Sequence, residues 1–594
     1  MNKERNMLKV EFYVLTELQK SYNTPTQRDL AKSLAFSLGK VNNVLKNLRK
    51  KGFICDDNKI TPQGQVALEP YRVKNAVILA AGLSSRLAPI SFEKPKGLLT
   101  VRGEILIERQ IRQLKAVGID DITVVVGYLK EQFFYLEEKF GVKLVINEDY
   151  WKYNNTSSVS LILDRLSNTY LCSSDNYFIE NPFSTYEYRS YYSAEYSAGK
   201  TEEYCLTTDK DGLITGVSVG GENSWYMIGH VYFDRSFSQK FVKLFQKDYA
   251  RADMKEKLWE DFYIDHLDTL KLYIRENKGN IFEFDSVEEL RQFDPNSLKQ
   301  INSKILNNVA RIFNCGVDEI TNIKKIKEGM TNNSFAFNVG DKRYVYRHPG
   351  RNTDYINRVS ESFSMNVAKK LGLDKTFIEM SPKEGWKLSH FIDNAQTLDY
   401  RNENQVRTAL SMLRKLHQAK VHSEFEFDVW GKIERFKEKL FLTSKADYPE
   451  FSQLSAQMET LRQVVEEDSS ESVLCHCDSF APNFMVHQKG MELIDWEYSG
   501  NCDPAFDLGV FICCSENYSY DDALEVLRMY YQRELTQSEL RHCLAYIAIA
   551  SYYCFIWALY QESSGRPVGS YLYLWHKCTK LYLEKSLRLY SLDK

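Results

Sequence analysis

The chain has 594 residues, 43% hydrophobic and 26% charged; this is several domain lengths of ordinary globular composition, which excludes a disordered chain and predicts two or three separately cored units. Lysine and arginine total 77 against 80 aspartate and glutamate, a formal net charge of −3, so the overall balance points neither to nucleic acid nor to an anionic membrane as the main partner. The 12 cysteines lack the spacing of a disulfide ladder or a zinc pair, the opening MNKERNMLKVEFYVL lacks the apolar core of a signal peptide, and no apolar run is read as reaching the ~18 residues of a membrane span, so a soluble cytoplasmic protein is expected.

Residues 1–70 begin with an apolar-periodic helix from Val10 to Leu18, followed by TPTQRDLAKSL, a turn at Gly39 and a third helical stretch, KVNNVLKNLRKKGF. The next segment, ICDDNKITPQGQVAL, reads as a small β-wing closing on another helix. With 12 lysines and arginines against 7 acidic residues, this region has the charge for phosphate contacts from Lys40, Lys46, Arg49 and Lys50. Its order and spacing resemble winged helix-turn-helix regulators. The resemblance implies DNA as a partner; the alternative is a module that only packs or dimerises, making the chain a homo-oligomer.

From Tyr71 the character changes. KNAVILAAG is a strand ending in a glycine loop, and strands such as ITVVVG and VKLVIN alternate with helical stretches such as EILIERQIRQLKAVG. That alternation predicts a parallel α/β sheet with its ligand at the carboxyl ends of the strands. Within LAAGLSSRLAPISFEKPKGLL, Ala80-Ala81-Gly82 lets backbone N–H groups approach a triphosphate, and Arg86 and Lys96 supply cations. The combination of A-A-G, S-R and K-P-K-x-L resembles the fingerprint of the sugar-1-phosphate and phosphocholine nucleotidyltransferases. Over 75–295, through VGYLKEQFFYLEEKFGVKLVINEDYWKYNN, SSDNYF, LWEDFYIDHL and FEFDSVEELRQF, the resemblance is to the CTP:phosphocholine cytidylyltransferases with which bacteria decorate surface polymers. It implies Mg²⁺ held by Asp175 and Asp285. It also implies a cage for the phosphocholine cation from Tyr204, Trp259 and Glu283, with Trp259 as a core residue and Glu283 as a further Mg²⁺ group the alternatives. CTP follows from this longer resemblance, since the glycine loop also serves families that use UTP, GTP or dTTP.

From about residue 296 a helical linker leads into KIKEGMTNNSFAFNVGDKRYVYRHPG, a glycine-bearing β-hairpin, followed by long helices. In LCHCDSFAPNFMVHQKGMELIDWEYSGNCDPAFDLGVF, His476-x-Asp478, then Asn483, then Asp495 on the next apolar strand resemble the catalytic loop of choline kinases and aminoglycoside phosphotransferases. The chemistry needs Asp478 to orient the substrate hydroxyl and accept its proton, and Asn483 and Asp495 to hold Mg²⁺ on ATP. Cys475, His476 and Cys477 do not read as a metal site, because adjacent residues on a strand point to opposite faces. The run Gly329-Met330-Thr331-Asn332-Asn333-Ser334 resembles the phosphate-covering loop. Arg347 stands where protein kinases carry lysine, as in bacterial choline kinases, and Glu361 is the residue that would orient it; a solvated helix charge is the alternative. Trp557 and Tyr560 lie three apart on one helix face, and with Glu497 and Tyr498 they fall where choline kinases wall their choline pocket. A quaternary ammonium donates no hydrogen bond, so aromatic faces plus a carboxylate suit it.

The fold expected is multidomain α/β and α+β: a winged helix (1–70), a Rossmann-like nucleotidyltransferase sheet (71–295) and a protein-kinase-like fold (296–594). The whole resembles bifunctional choline kinase and CTP:phosphocholine cytidylyltransferase enzymes of the bacterial Lic type. It implies choline and ATP giving phosphocholine, which with CTP gives CDP-choline and pyrophosphate. Two alternatives stay open: the same reactions on ethanolamine or another amino alcohol, and a metabolite-sensing DNA-binding regulator.

Overall fold

Residues 7–20, 24–326, 332–350, 356–442, 449–468, 470–515 and 517–592 are described by a computed structural model. The chain divides into two compact units, Met1–Lys325 and Ile326–Lys594.

The first unit opens with helices α1 (Lys9–Lys20), α2 (Gln27–Ser33), α3 (Leu38–Lys50) and α4 (Pro62–Leu68). Thr26 and Asp29 form a capping box at the start of α2, and Ser37 caps α3 by accepting from the Lys40 N–H. Because Ser37 starts the helix, Gly39 lies inside its first turn. The turn expected at Gly39 falls instead at Ala35, which takes φ 51°. Between α3 and α4 the chain doubles back, with Ile54 bridging Ile60 and Cys55 N–H donating to Lys59 O over 2.8 Å. Phe12, Leu15, Leu30, Val41, Leu45 and Leu48 pack into one core with Tyr71. Lys40, Lys46 and Lys50 are exposed, whereas Arg49 is tied to Asn58 at 2.5 Å.

Next comes a seven-stranded sheet of β1 (Asn75–Ala80), β2 (Ile122–Val126), β3 (Lys143–Ile146), β4 (Thr169–Ser173), β5 (Tyr191–Thr208), β6 (Ile214–Phe233) and β7 (Tyr273–Glu276), in the order β7-β5-β6-β4-β1-β2-β3. β1 is parallel to β2 and β4, and β2 to β3, whereas β6 runs antiparallel to β4 and β5. The central strands are near-continuous runs of Val, Ile and Leu because both faces are covered. One face carries α5 (Leu106–Ala116), whose Ile107, Ile111 and Leu114 share a core with Ile78 and Val124. The other packs Val77 and Val125 with Phe241 and Phe262, the latter from α6 (Trp259–Asp265). Helices at 297–301 and 304–313 also belong to this unit, where Lys304 N–H donates to Glu93 Oε1 over 3.0 Å.

In the second unit, β8 (Asn332–Val339), β9 (Lys342–Pro349), β10 (Phe377–Met380) and β11 (Lys387–His390) pair antiparallel in the order β8-β9-β11-β10. Gly340, at φ 57°, turns β8 into β9. Helix α7 (Arg358–Leu371) follows β9, and α8 (Glu403–Gln418) introduces the helical part. There β12 (Val473–Cys475), β13 (Phe484–His487), β14 (Gly490–Leu493) and β15 (Gly500–Cys502) frame the segment carrying the H-x-D motif. Helices α9 (Pro504–Cys513), α10 (Tyr520–Tyr531), α11 (Gln537–Ser563) and α12 (Tyr571–Leu592) complete the unit. The expectation that no apolar run reaches membrane length is corrected by α11, whose 27 residues pass that test. Its most apolar window is 67% buried, because α11 is apolar all round as the central helix of a bundle must be.

Candidate active sites

In the first unit, Ala80 and Ala81 are buried at the carboxyl end of β1. A Cβ built on Gly82 meets no protein atom within 4 Å, so the backbone there is open to a ligand. These residues line a cavity of about 590 Å³ with Lys96, Asp175, Tyr192, Trp259 and Glu260. Lys96 is only 7% exposed. Its Nζ lies 2.9 Å from Asp175, 3.3 Å from Glu283 and 3.3 Å from Asp285, while Arg86 pairs with Asp285 at 2.8 Å. Asp175 follows β4, and Glu283 ends a short strand, Ile281–Glu283, paired with Asn176–Phe178. The sheet thus gathers carboxylates from two distant segments around one lysine.

Burial opposes ionisation of both Asp175 and Lys96, but each holds the other charged: Asp175 is pulled below the carboxylate range and Lys96 pushed above the usual ammonium range. The Asp175 charge, together with burial, lifts Glu283 to about 7. Asp175 Oδ1 is buried without a protein hydrogen-bond partner, so its lone pairs are left to a ligand.

The three expected cage residues are not gathered on one wall. Trp259 is buried, stacked on Tyr192 at 5.7 Å and packed against Phe233 and Phe241, yet it also lines the cavity. Tyr204 donates its hydroxyl to Asp261 over 2.9 Å. Glu283 faces Lys96. Sequence reasoning missed Glu260, which accepts from Asn155 over 3.2 Å and from Tyr192 over 3.3 Å. Burial raises its pKa to about 7. The available signal was a carboxylate beside Trp259 in LWEDF, with nothing local to say that it turns inward.

In the second unit, Asp478 lies just beyond β12, and Asn483 Nδ2 donates to its backbone O over 2.7 Å and its Oδ2 over 2.9 Å. Burial and the charge of Asp495 lift the Asp478 pKa well above the carboxylate range. Asp495 takes φ 65°, a left-handed conformation that costs a non-glycine residue energy and that functional sites often retain. Burial opposes its charge, but Lys387 and Arg347 keep its pKa low. His476 is structural. Its Nε2 donates to Ile494 O over 2.9 Å, so Nδ1 accepts from the Asp478 N–H over 3.3 Å, and burial lowers its pKa.

Arg347 on β9 is 5% exposed; it meets Glu361 at 2.5 Å and Asp495 at 3.3 Å. Glu361, on α7, also binds Arg358 at 2.7 Å, so it is not the solvated charge considered as its alternative. Asn332 donates to Glu497 over 2.8 Å and accepts from Arg358 over 3.0 Å. Glu497 thus lies on the arginine side of the site. Ser334 pairs in register with Arg347, while Gly329, Met330 and Thr331 lie outside the described residues.

Trp557 meets Trp575 edge-on at 6.2 Å, and Tyr560 stacks on Phe436 at 5.7 Å with Lys439 over its ring. Tyr498 packs against the helical core. A cavity of about 550 Å³ is lined by Tyr400, Phe480, Ala481, Pro482, Cys514, Tyr518 and Tyr571, and by neither Trp557 nor Tyr560. The motif also conceals its support. Fully buried Asp507 on α9 accepts from the N–H groups of His476 (2.8 Å) and Cys477 (2.7 Å) and bonds His417 Nε2 at 3.0 Å. Asp507 lies in the CDPAFDLGVF stretch, but nothing local to it points to these distant partners.

Two family models match the chain: MobA-like NTP transferase domain over residues 76–195 and Choline/ethanolamine kinase over 323–554. A choline-phosphate cytidylyltransferase of Streptococcus pneumoniae is 39% identical over 220 residues, 37% of this chain and 96% of that protein. A 2-aminoethylphosphonate cytidylyltransferase of Lancefieldella rimae is 36% identical over 37% of this chain and 92% of its own length. Protein LicA of Haemophilus influenzae is 27% identical over 41% of this chain and 94% of its length. The chain therefore belongs to the choline-phosphate cytidylyltransferase family and carries, behind its nucleotidyltransferase α/β domain, a choline kinase domain.

Proposed function

We propose that this protein makes CDP-choline in two steps, phosphorylating choline with ATP and then joining phosphocholine to CMP from CTP with release of pyrophosphate, for decoration of cell-surface polymers. The observation that carries this reading is that one chain holds both a buried lysine ringed by carboxylates at the end of a parallel sheet and an Asp–Asn–Asp constellation in a kinase domain. In the second unit Asp478 orients the choline hydroxyl and takes its proton, a role suited to a carboxylate whose pKa lies high. Arg347, fixed by Glu361, and the Asn332–Ser334 strand hold the ATP phosphates. Choline recognition falls to the aromatic rings of Tyr498, Trp557 and Tyr560, with Glu497, held on the arginine side by Asn332, as the carboxylate that balances its charge. In the first unit Ala80, Ala81 and Gly82 bring backbone donors to the CTP phosphates, and Arg86 and Lys96 neutralise charge on the α-phosphate and the leaving pyrophosphate. Tyr204 and Trp259 serve the trimethylammonium group.

Mg²⁺ fits both sites, since the donors are hard oxygens and Asp175 Oδ1 has no other partner. Asp175, Asp285 and Glu283 would hold it in one site, and Asn483 and Asp495 in the other. Bound there, it supplies the charge that offsets the phosphate oxygens. Functional segments of 1–70, 71–295 and 296–594 follow from this reading, in a cytoplasmic protein. The first is a winged helix, supported by the order of α1 to α4 and the Ile54–Ile60 bridge, with Lys40, Lys46 and Lys50 as its DNA contacts.

The test incubates the protein with Mg²⁺, ATP and CTP and with choline, ethanolamine or 2-aminoethylphosphonate, and identifies products by mass spectrometry. CDP-choline from free choline is expected. Asp478→Ala should lose phosphorylation by on the order of 10²–10⁴-fold and be rescued by phosphocholine, and Lys96→Ala should stall at phosphocholine. A dominant CDP-ethanolamine product, or turnover only of the phosphonate, would overturn choline as the substrate; no product from any of the three would overturn the enzyme reading.

A further inference from the structure

Three cysteines from two helical segments meet inside the second unit. Cys513 and Cys514 close α9, Cys554 lies on α11, and all three Sγ atoms are within 4.8 Å of one another, with 3.9 Å between Cys513 and Cys514. Two sulfurs of a disulfide would be only ~2.0 Å apart. Three thiolates around one ion at ~2.3 Å stand at the corners of a triangle with sides of about 4 Å; the Cys513–Cys514 edge has that length and Cys554 lies within 4.8 Å of both. Thiol hydrogen bonds from Cys513 and Cys554 outweigh burial and hold Cys514 well below the usual thiol range, while Cys513 and Cys554 are pushed above it.

Cys514 also lines the cavity of about 550 Å³ beside Phe480, Ala481 and Pro482, which gives an ion a route in and sets the cluster against the segment between Asp478 and Asn483. A second buried group, His417, Cys475 and Asp507, gathers donors as closely. There, however, both histidine nitrogens and both aspartate oxygens are spent on Tyr530, on the loop N–H groups and on each other, which makes it a structural network.

We propose that Cys513, Cys514 and Cys554 form a three-coordinate site for a soft, thiophilic d¹⁰ cation, with Cu⁺ the ion it suits best. Thiolate softness selects Cu⁺ and Zn²⁺ over harder ions. Zn²⁺ prefers four ligands, and among the described residues the group contains three. Binding replaces the thiol protons of the set with the metal ion, so affinity rises with pH.

The test titrates the full chain anaerobically with Cu⁺ presented as its bathocuproine disulfonate complex, reading transfer from the chelator's absorbance. One ion per chain is expected. Cys514→Ser and Cys554→Ser should each weaken its uptake by about tenfold or more, whereas Cys55→Ser, at an exposed position, should leave it unchanged. X-ray absorption at the copper edge of the loaded wild-type protein, which does not depend on any variant folding, should count three sulfur neighbours. Absence of transfer, full affinity in both serine variants, or a shell of two sulfurs or of nitrogen and oxygen would overturn the proposal.

Discussion

Glu260 shows how burial can outweigh hydrogen bonding in setting the pKa of one carboxyl group. Its oxygens accept from neutral donors, the Asn155 amide, the Tyr192 hydroxyl and its own backbone N–H, and burial outweighs them, lifting its pKa to about 7 from the ordinary 4.5. Between those two values the folded protein keeps a proton that the unfolded chain has released. Raising the pH through this window strips the proton from the folded state, so stability falls. Glu260→Gln carries the neutral form at every pH. Thermal scans of ligand-free protein at about pH 5 and about pH 8 should show a smaller drop for the variant than for the wild type; equal drops would assign the effect to another group.

At the scale of elements, the crossing of α9 and α11 is set by Gly509. A Cβ there would stand 2.5 Å from Tyr546 O and 2.9 Å from Ala550 Cβ, too close for either helix to yield locally. Gly509→Ala should therefore cost ~1–3 kcal/mol, measured as a lowered denaturant midpoint of the second unit, and should disturb the loop held by Asp507 two residues earlier; an unchanged midpoint would mean that the helices part freely. Elements whose signal is local were legible in the sequence. The β/α alternation of the first sheet, the A-A-G turn and the H-x-D spacing each depend on residues within one or two elements, and they lie where the pattern put them. What was not legible is long-range. Gly39 was read as a turn because glycine breaks helices in isolation, while the cap at Ser37 decides the start of α3. The apolar character of α11 was missed because Tyr, Cys and Ser interrupt its run, and only its neighbours reveal that such a helix is enclosed on most sides. Glu260, the inward thiols and the Glu497–Asn332 bond all depend on which strands and helices become neighbours.

At the scale of the whole molecule, each unit buries its own core and carries its own cavity. Under the proposed function the two reactions are then separable: an equimolar mixture of Asp478→Ala and Lys96→Ala proteins should convert choline to CDP-choline after a lag, as phosphocholine leaves one molecule for another. Mass spectrometry of the time course checks this, and failure of the mixture where wild type succeeds would mean that the intermediate does not pass through solution. The hydrogen bonds of Asp507 bear on a different matter, the transfer of parts between proteins. His417 lies 90 residues upstream of this aspartate and His476 lies 31, so the short H-x-D segment is not a portable cassette. A designer grafting it onto another scaffold would need to bring the supporting helix and the distant imidazole as well.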